Sequence, residues 1–333
     1  MTERRSTGKL QIARALWYVK PGVVELRPEQ IGKPKPDEAR VRALYSGISR
    51  GTERLVFSGQ VGASEYERMR APLQDGAFPF PVKYGYCAVG TVEIGPSDLQ
   101  GRTVFCLHPH QEAFNAPIGM LVPVTDGIPA KRATLAANAE TALNALWDAG
   151  AGPGDRIAVV GAGIVGLMVT AIAARLPGAE VTVLDVDASR RALVEAFGAR
   201  FAPAKATNLE EMDIVVHTSV SQAGLDAAIA MAGLEATIVE LSWYGDKPVT
   251  IHLGGPFHSK RLKLISSQVG QVSPGHRPRW SYRRRMEAAL RLLAEIPALD
   301  ALVAEEIAFS DTPKRLPAVF AAGASGLAPV VKY

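Results

Sequence analysis

The residues best equipped for chemistry lie in Gly161-Ala-Gly163-Ile164-Val165-Gly166, between an apolar run at 157–160 and a helical pattern that Pro177-Gly178 stops. A second apolar run, 181–184, ends in Asp185, 19 residues after Gly166. Strand, GxGxxG, helix, strand and acid in this order are what a dinucleotide site requires. Gly161 permits the tight turn, Gly163 lets the backbone approach a pyrophosphate, and Gly166 lets the helix pack on the strand. The free N–H groups at the helix start, where Ile164 and Val165 stand, face the phosphate charge. Asp185 is placed to accept both ribose hydroxyls and to repel a 2′-phosphate, which favours NAD over NADP. Arg190 and Arg191 follow closely. They leave a 2′-phosphate open, or they are solvated helix residues. The bland alternative for the whole segment is a βαβ unit without a nucleotide.

Two further clusters carry titratable groups. His108 and His110 follow an apolar strand, and two residues apart on an extended segment share a face. Either is an acid or base near neutral pH, a metal is conceivable between them, and a plain loop pair is the alternative. His217-Thr-Ser219 ends a later apolar run, and Leu241-Ser-Trp-Tyr-Gly245 ends the next. Ligands sit at the carboxyl ends of such strands, so Ser219 is expected to contact a carboxamide.

The elements that must position these groups follow from pattern. Before residue 125 the chain reads as β-rich, with period-two strands at 39–45 and 85–94 and Gly/Pro punctuation between them. Residues 57–80 lack a clear period and are expected to form a loop or lid. A helix is expected over 131–149, then strands near 212–216, 236–241 and 262–267 with a helix over 223–232. Alternating strands and helices predict a parallel doubly wound sheet. The tail holds an Arg/Leu-rich helix, a short strand at 306–309, another helix and a final strand at 329–332. The fold class is α/β.

Composition sets bounds. The 333 residues suffice for two domains, and 47% hydrophobic with 21% charged residues marks an ordinary globular chain. Net charge is 37 − 33 = +4, which requires no anionic partner. The run 276–285 is Arg-rich. A helix start explains it without nucleic acid, and a clamp for an acidic substrate or cofactor phosphates is the second reading. Cys87 and Cys106 have no metal or disulfide spacing. The polar first ten residues lack the apolar core of a signal peptide, and the apolar stretch at 157–176 belongs to the nucleotide motif. A soluble cytoplasmic protein with no membrane partner is expected, and its Ala and Arg content points to a GC-rich bacterial genome.

A β-rich front, a Rossmann unit near residue 155 and a helix–strand tail together resemble the medium-chain dehydrogenase/reductase superfamily over nearly the whole chain. Residues 36–49 are similar to the strand leading to the first catalytic-zinc ligand, Val82-Lys-Tyr-Gly85-Tyr86-Cys87 to the Gly-His-Glu segment, and 141–147 to the helix entering the nucleotide domain. The resemblance implies a GroES-like catalytic domain over 1–128 and 275–333, a Rossmann domain over 129–274, an edge-strand homodimer and a small-molecule substrate. Departures matter more. Ser49 stands where the first cysteine is expected, Tyr86 replaces the histidine and Cys87 the neighbouring glutamate. Serine and tyrosine are poor neutral ligands for Zn²⁺, and two cysteines cannot make a four-cysteine structural site. No zinc is expected, a site of Cys87, His108 and Glu140 being the remaining alternative. The front domain also resembles hydroxyethyl bacteriochlorophyllide dehydrogenase, through Ser46-Gly-Ile-Ser49-Arg-Gly-Thr52-Glu53-Arg-Leu55 and Gly85-Tyr86.

Without zinc, hydrogen-bond donors must stabilise the developing alkoxide. Tyr86 is the first candidate, with Lys83 three residues away to lower its pKa; alternatively it fills the metal's space. Ser49 and Thr52 are candidates to relay protons, or are turn residues. Glu53 is either a buried acid or a partner of Arg50 or Arg54, and His108 a further acid–base candidate. The expected activity is zinc-free hydride transfer between NAD(P) and an alcohol or carbonyl. A zinc-free NADPH quinone or enone reductase and a catalytically silent nucleotide-binding sensor or scaffold are the alternatives.

Overall fold

The computed structural model describes residues 11–205, 209–321, 323–324 and 326–333. The chain forms two compact units, one of Met1–Thr134 with Val303–Tyr333 and one of Leu135–Leu302.

The first unit opens with an antiparallel pair, β1 (Gln11–Lys20) and β2 (Val23–Ile31), extended by β4 (Asp75–Gly76) and β5 (Val82–Lys83) into a four-stranded sheet, order β2-β1-β5-β4. A second sheet is built on β3 (Glu38–Gly47) with β6 (Ala88–Ile94), β7 (Thr103–Cys106), β8 (Ala113–Pro117) and β9 (Val122–Pro123). Its core is apolar on one face: Ala39, Val41, Val92, Val104, Phe114 and Leu121 are all buried. Between the sheets' strands lies α1 (Thr52–Ser58), which takes the start of the segment expected to be a loop. Phe57 on α1 is buried against the rings of Tyr18 and Phe320. The rest of that segment holds one short 3-10 turn, Ala63–Glu65, and β4.

The helix expected over 131–149 is two helices, α2 (Ala130–Ala133) and α3 (Ala136–Ala149). At the break Thr134 Oγ1 donates back to the Lys131 carbonyl at 2.7 Å. A hydroxyl that competes for helix carbonyls bends or ends the turn, and the two units divide there.

The second unit is a six-stranded parallel sheet: β10 (Arg156–Val160), β11 (Glu180–Asp185), β12 (Arg200–Pro203), β13 (Met212–His217), β14 (Ala232–Glu240) and β15 (Lys263–Ser266). Its order is β12-β11-β10-β13-β14-β15, a doubly wound arrangement that reverses between β10 and β13. The continuous apolar runs are explained by burial on both faces, Ile157–Val160 being wholly buried. The crossovers are α4 (Ile164–Ala173), α5 (Arg191–Ala196) and α6 (Gln222–Met231). The short strand β12 was not expected.

The Arg-rich run leads into α7 (Tyr282–Glu295), capped by Ser281 Oγ, which accepts from the Arg284 amide at 3.1 Å. Arg285 is almost wholly buried and donates to Glu140 Oε1 at 2.9 Å, to Asn144 Oδ1 at 2.5 Å and to the carbonyls of Gln271 and Val269. These bonds tie α7 to α3. The expected boundaries at 128/129 and 274/275 therefore differ from the observed ones at Thr134/Leu135 and Leu302/Val303. Only the last segment rejoins the first unit. Its β16 (Glu306–Ala308), α8 (Thr312–Val319) and β17 (Val330–Lys332) complete the order β16-β17-β3-β6-β7-β9, with β8 paired to β3.

Glu140 has its pKa raised, desolvation outweighing the attraction of Arg285. Breaking such a pair from one side leaves a buried charge without its partner, at about 3–5 kcal/mol. Arg285→Met should thus lower the thermal midpoint clearly by circular dichroism. The double variant Arg285→Met/Glu140→Leu should recover much of the loss. A double variant no more stable than the single one would show that the charge pair is not what holds α7.

Candidate active site

In the first unit the chemistry gathers around Glu53, on the first turn of α1 and wholly buried. Its Oε2 accepts from the Tyr18 hydroxyl at 2.7 Å and lies 2.9 Å from His110 Nε2, and its Oε1 accepts from the Ser49 amide at 2.8 Å. Glu53 is thus the buried acid of the two alternatives. Arg50 instead donates to the carbonyls of Val319, Ala324 and Gly326. His110 Nδ1 is 2.6 Å from Ser46 Oγ, which is 2.8 Å from the Tyr333 hydroxyl. With a neutral imidazole the carboxylate fixes the proton on Nε2, so Nδ1 accepts from Ser46. Burial pushes the Tyr18 and Tyr333 hydroxyls upward in pKa, which keeps both as donors.

Tyr86, Ser49 and Thr52 are brought together, the two smaller hydroxyls lying close enough to the Tyr86 hydroxyl to draw its pKa down. Its pKa is raised, by burial first and then by Cys87, with those two hydroxyls opposing. The expected assistance from Lys83 is absent. Lys83 Nζ donates to Glu29 Oε2 at 2.7 Å and to Gln111 Oε1 at 3.3 Å. Tyr86 is therefore a neutral hydroxyl at ordinary pH, a donor and not a base.

His108 does not join this group. Its ring stacks on Phe114 with centroids 3.6 Å apart, its Nδ1 lies 2.8 Å from the Pro109 carbonyl, and burial pushes its pKa down to about 3. The histidine that does join, His110, shares only the same short segment in sequence. Its partners Glu53 and Ser46 are 57 and 64 residues away.

The donor set where zinc would be expected is a poor fit. Serine and tyrosine hydroxyls are poor neutral ligands for Zn²⁺, and burial raises the Cys87 pKa, which keeps it a thiol. Glu140 is held by Arg285 and His108 by its stack. Among the described residues no three His, Cys, Asp or Glu come together to hold a metal ion.

In the second unit the glycine turn has the shape a pyrophosphate needs. Gly161 has φ +109°, and a Cβ on Gly166 would strike the Gly161 carbonyl oxygen. A Cβ on Gly163 would meet nothing within 4 Å. That open face lies at the start of α4, where Ile164 and Val165 are half-buried and no side chain caps the helix. Asp185 closes the other side. Its Oδ2 accepts from the Ala162 amide at 2.5 Å and its Oδ1 from the Asp187 amide at 2.8 Å. Each oxygen retains a lone pair for a ribose hydroxyl. Arg190 pairs with Asp187 at 3.2 Å, and Arg191 lies over the Phe201 ring.

Ser219 follows β13, half-buried, with its Oγ 2.7 Å from His217 Nε2. His217 Nδ1 is 2.7 Å from Glu240 Oε2 on the next strand. Sequence reading placed Ser219 at a ligand and missed its two partners. The available signal was register: His217 and Glu240 are paired residues of adjacent parallel strands.

Residues 125–222 match a family model described as pyridine nucleotide-disulphide oxidoreductase. D-xylulose reductase A of Aspergillus niger is 31% identical over 99 residues, which is 29% of this chain and 28% of that protein, so the chain matches under a third of the length of this curated relative. Solved structures match along nearly all of the chain. L-idonate 5-dehydrogenase from Escherichia coli K-12 superposes with a TM-score of 0.81 at 14% identity, covering 98% of this chain and 99% of that one. A zinc-binding dehydrogenase of Sinorhizobium meliloti 1021 bound to NADP gives 0.78 at 16% identity over 97% and 100%. An alcohol dehydrogenase of Escherichia coli CFT073 complexed with NADH gives 0.78 at 14% over 97% and 99%. At these identities the likeness establishes the fold, and the chain is built on the fold of these dehydrogenases.

Proposed function

We propose that the chain is an NAD(P)-dependent oxidoreductase that moves a hydride between nicotinamide and an alcohol or carbonyl carbon without a catalytic zinc. The observation that carries the reading is the glycine turn, open at Gly163 and closed by Asp185. The family model over 125–222 and the dehydrogenase structures support the same chemistry.

The dinucleotide would lie with its pyrophosphate against Gly161, Gly163 and the Ile164–Val165–Gly166 amides, and its adenosine ribose on Asp185. NAD is favoured, because a carboxylate facing the ribose repels a 2′-phosphate. Asp187 supports this, since it holds Arg190 away from that role. The cofactor supplies the hydride acceptor or donor. The chain's own residues hold the substrate oxygen and the proton. Tyr86, a neutral donor backed by Ser49 and Thr52, stabilises the oxygen where negative charge develops. Glu53 fixes the turn that carries Ser49 and Thr52. The donor set around Ser49 and Tyr86 and the front-domain likeness to hydroxyethyl bacteriochlorophyllide dehydrogenase support the zinc-free reading. The wider reading is a bacterial, cytoplasmic homodimer acting on a small molecule, with no nucleic-acid or membrane partner. Among the described residues no helix is long and apolar enough to cross a membrane. Arg277, Arg283, Arg284 and Arg285 find partners within the chain, and among the described residues β15 stands at the edge of its sheet.

Fluorescence titration with NADH and NADPH tests the cofactor reading. NADH should bind more tightly; a reversed order defeats the NAD preference, and no binding of either defeats the function. Asp185→Ala should weaken NADH by about 10- to 100-fold, the worth of hydrogen bonds to a charged group. Gly163→Leu offers a sharper contrast. Its side chain enters open space, so the thermal midpoint should barely move while NADH binding is lost.

Oxidation of a panel of alcohols and polyols with NAD⁺ then tests the other half. On any substrate found, Tyr86→Phe should lower kcat by about 10²-fold or more, as removal of an oxyanion donor does, with NADH affinity unchanged. Full turnover in that variant would remove Tyr86 from the mechanism. Elemental analysis showing one zinc per active chain would overturn the zinc-free reading.

A further inference from the structure

We propose that Ser219, His217 and Glu240 form an activated-hydroxyl relay on the nicotinamide side of the second unit, with Ser219 as the group that takes the proton from a ligand hydroxyl. The role in hydride transfer rests on the function proposed above; the activation of Ser219 does not.

The geometry has the two contacts such a relay needs. Ser219 Oγ is 2.7 Å from His217 Nε2, and Glu240 Oε2 is 2.7 Å from His217 Nδ1. A hydroxyl within reach of a base that a third group orients is the general signature of an activated oxygen. The direction of the bonds follows from the chain itself. The Glu240 carboxylate can only accept, so a neutral His217 holds its proton on Nδ1 and its Nε2 accepts; Ser221 Oγ, which accepts from the Gly224 amide at 3.0 Å, is then the donor to Ser219 Oγ, 2.8 Å away. Ser219 then donates to His217 Nε2, and His217 Nδ1–H donates to the Glu240 carboxylate. Ser219 keeps one lone pair free, and that lone pair is an acceptor.

The surroundings are built around this arrangement. Glu240 is held from two more directions, its Oε1 accepting from the Ser242 amide at 2.7 Å and its Oε2 from the Tyr244 hydroxyl at 3.3 Å. A methyl group on Gly224 would strike Ser219 Oγ, His217 Nε2 and Ser221 Oγ, so α6 approaches the relay with no atom to spare. The next residue, Val220, adopts φ +53° and donates its amide to Ser242 Oγ at 3.1 Å. A β-branched side chain is disfavoured in that region, and such strain collects at functional sites.

Position supplies the ligand class. The sheet order reverses between β10 and β13, and dinucleotides cross that point. Asp185, on β11, marks the adenosine half, so the nicotinamide half lies over the carboxyl ends of β13 and β14, where His217 and Glu240 stand. Ser219 itself borders the glycine turn, for a Cβ on Gly161 would lie 3.0 Å from its backbone. In alcohol oxidation the C–H hydride passes to NAD⁺ and the alcohol carbon becomes a carbonyl. The hydroxyl proton passes to Ser219 Oγ as the Ser219 proton passes to His217 Nε2, leaving imidazolium against Glu240.

An acyl probe reads the activation without knowledge of the substrate. With p-nitrophenyl acetate, Ser219 Oγ bonds to the acetyl carbon, p-nitrophenolate leaves, and the serine proton goes to His217. Mass spectrometry of the full chain should find one acetyl on Ser219, absent in Ser219→Ala, while the fully buried Ser46 stays unmodified. His217→Gln and Glu240→Gln should acetylate at least tenfold more slowly with NADH affinity within twofold, a split that a purely structural role would not give. Saturating NADH should slow the wild-type reaction at least tenfold. No acetyl on Ser219, or wild-type rates in both glutamine variants, overturns the relay. If those variants misfold, the wild type and Ser219→Ala alone decide. NADH that binds without protecting Ser219 overturns its place beside the nicotinamide. A chain that acetylates at Ser219 but binds no NADH keeps the activated hydroxyl and loses the function proposed above.

Discussion

The reversal of strand order between β10 and β13 is the constraint on which the second unit depends. There the backbone must leave one strand, turn and start a helix with almost no room. Gly166 sits against the Gly161 carbonyl where a Cβ would collide, and Thr218 Oγ1 donates to that same carbonyl at 2.9 Å. The groups assigned to the ligand lie at the carboxyl ends of the strands: the open Gly163, Asp185 at the end of β11, Ser219 after β13 and Glu240 at the end of β14. The parallel register sets their spacing, because Val160, His217 and Glu240 are successive partners across three strands. Moving any one strand by a residue would send its side chain to the other face.

The first unit depends on a different kind of constraint. Glu53 is wholly buried, and burying a carboxylate unpaired would be prohibitive. Tyr18, His110 and the Ser49 amide supply the donors, and each comes from a separate part of the chain. The consequence is rigidity at the start of α1. Ser49 and Thr52 inherit their positions from it, which is how a wholly buried group shapes the proposed site. Tyr333 belongs to the same chain of bonds through Ser46, so the returning C-terminal strand is fastened to the site as well as to the sheet.

What could be read from sequence divides along physical lines. The glycine turn, β10, β11 and Asp185 were legible because local backbone demands fix residue types at short spacing. Strands β3 and β6 were legible from period two. The break at Thr134 was not, because apolar spacing continues through it and only a side-chain hydrogen bond stops the turn. The position of α7 was missed for a related reason: its Arg run reads as solvated, yet Arg285 is buried by partners 141 and 145 residues away. His108 and His110 were indistinguishable in sequence, since which of them stacks on Phe114 and which meets Glu53 is decided by the far side of the unit.

The two units each contain serine, histidine and glutamate in the same order of contact, and the comparison separates structure from chemistry. Ser46, His110 and Glu53 are all sealed, and Tyr333 occupies the serine's remaining side. A proton moved along that chain has no ligand at its end, so the set acts as a fastener for α1. Ser219, His217 and Glu240 make the same order of contacts through the opposite ring nitrogens, but the serine is half-buried and one of its lone pairs is left over. On the relay proposed here, identical side chains serve opposite purposes according to how far the serine residue is buried. Exposure in turn is set by backbone: Ser46 lies within β3, covered by strands on both sides, whereas Ser219 lies just past the end of β13, where the sheet stops and the left-handed turn at Val220 begins.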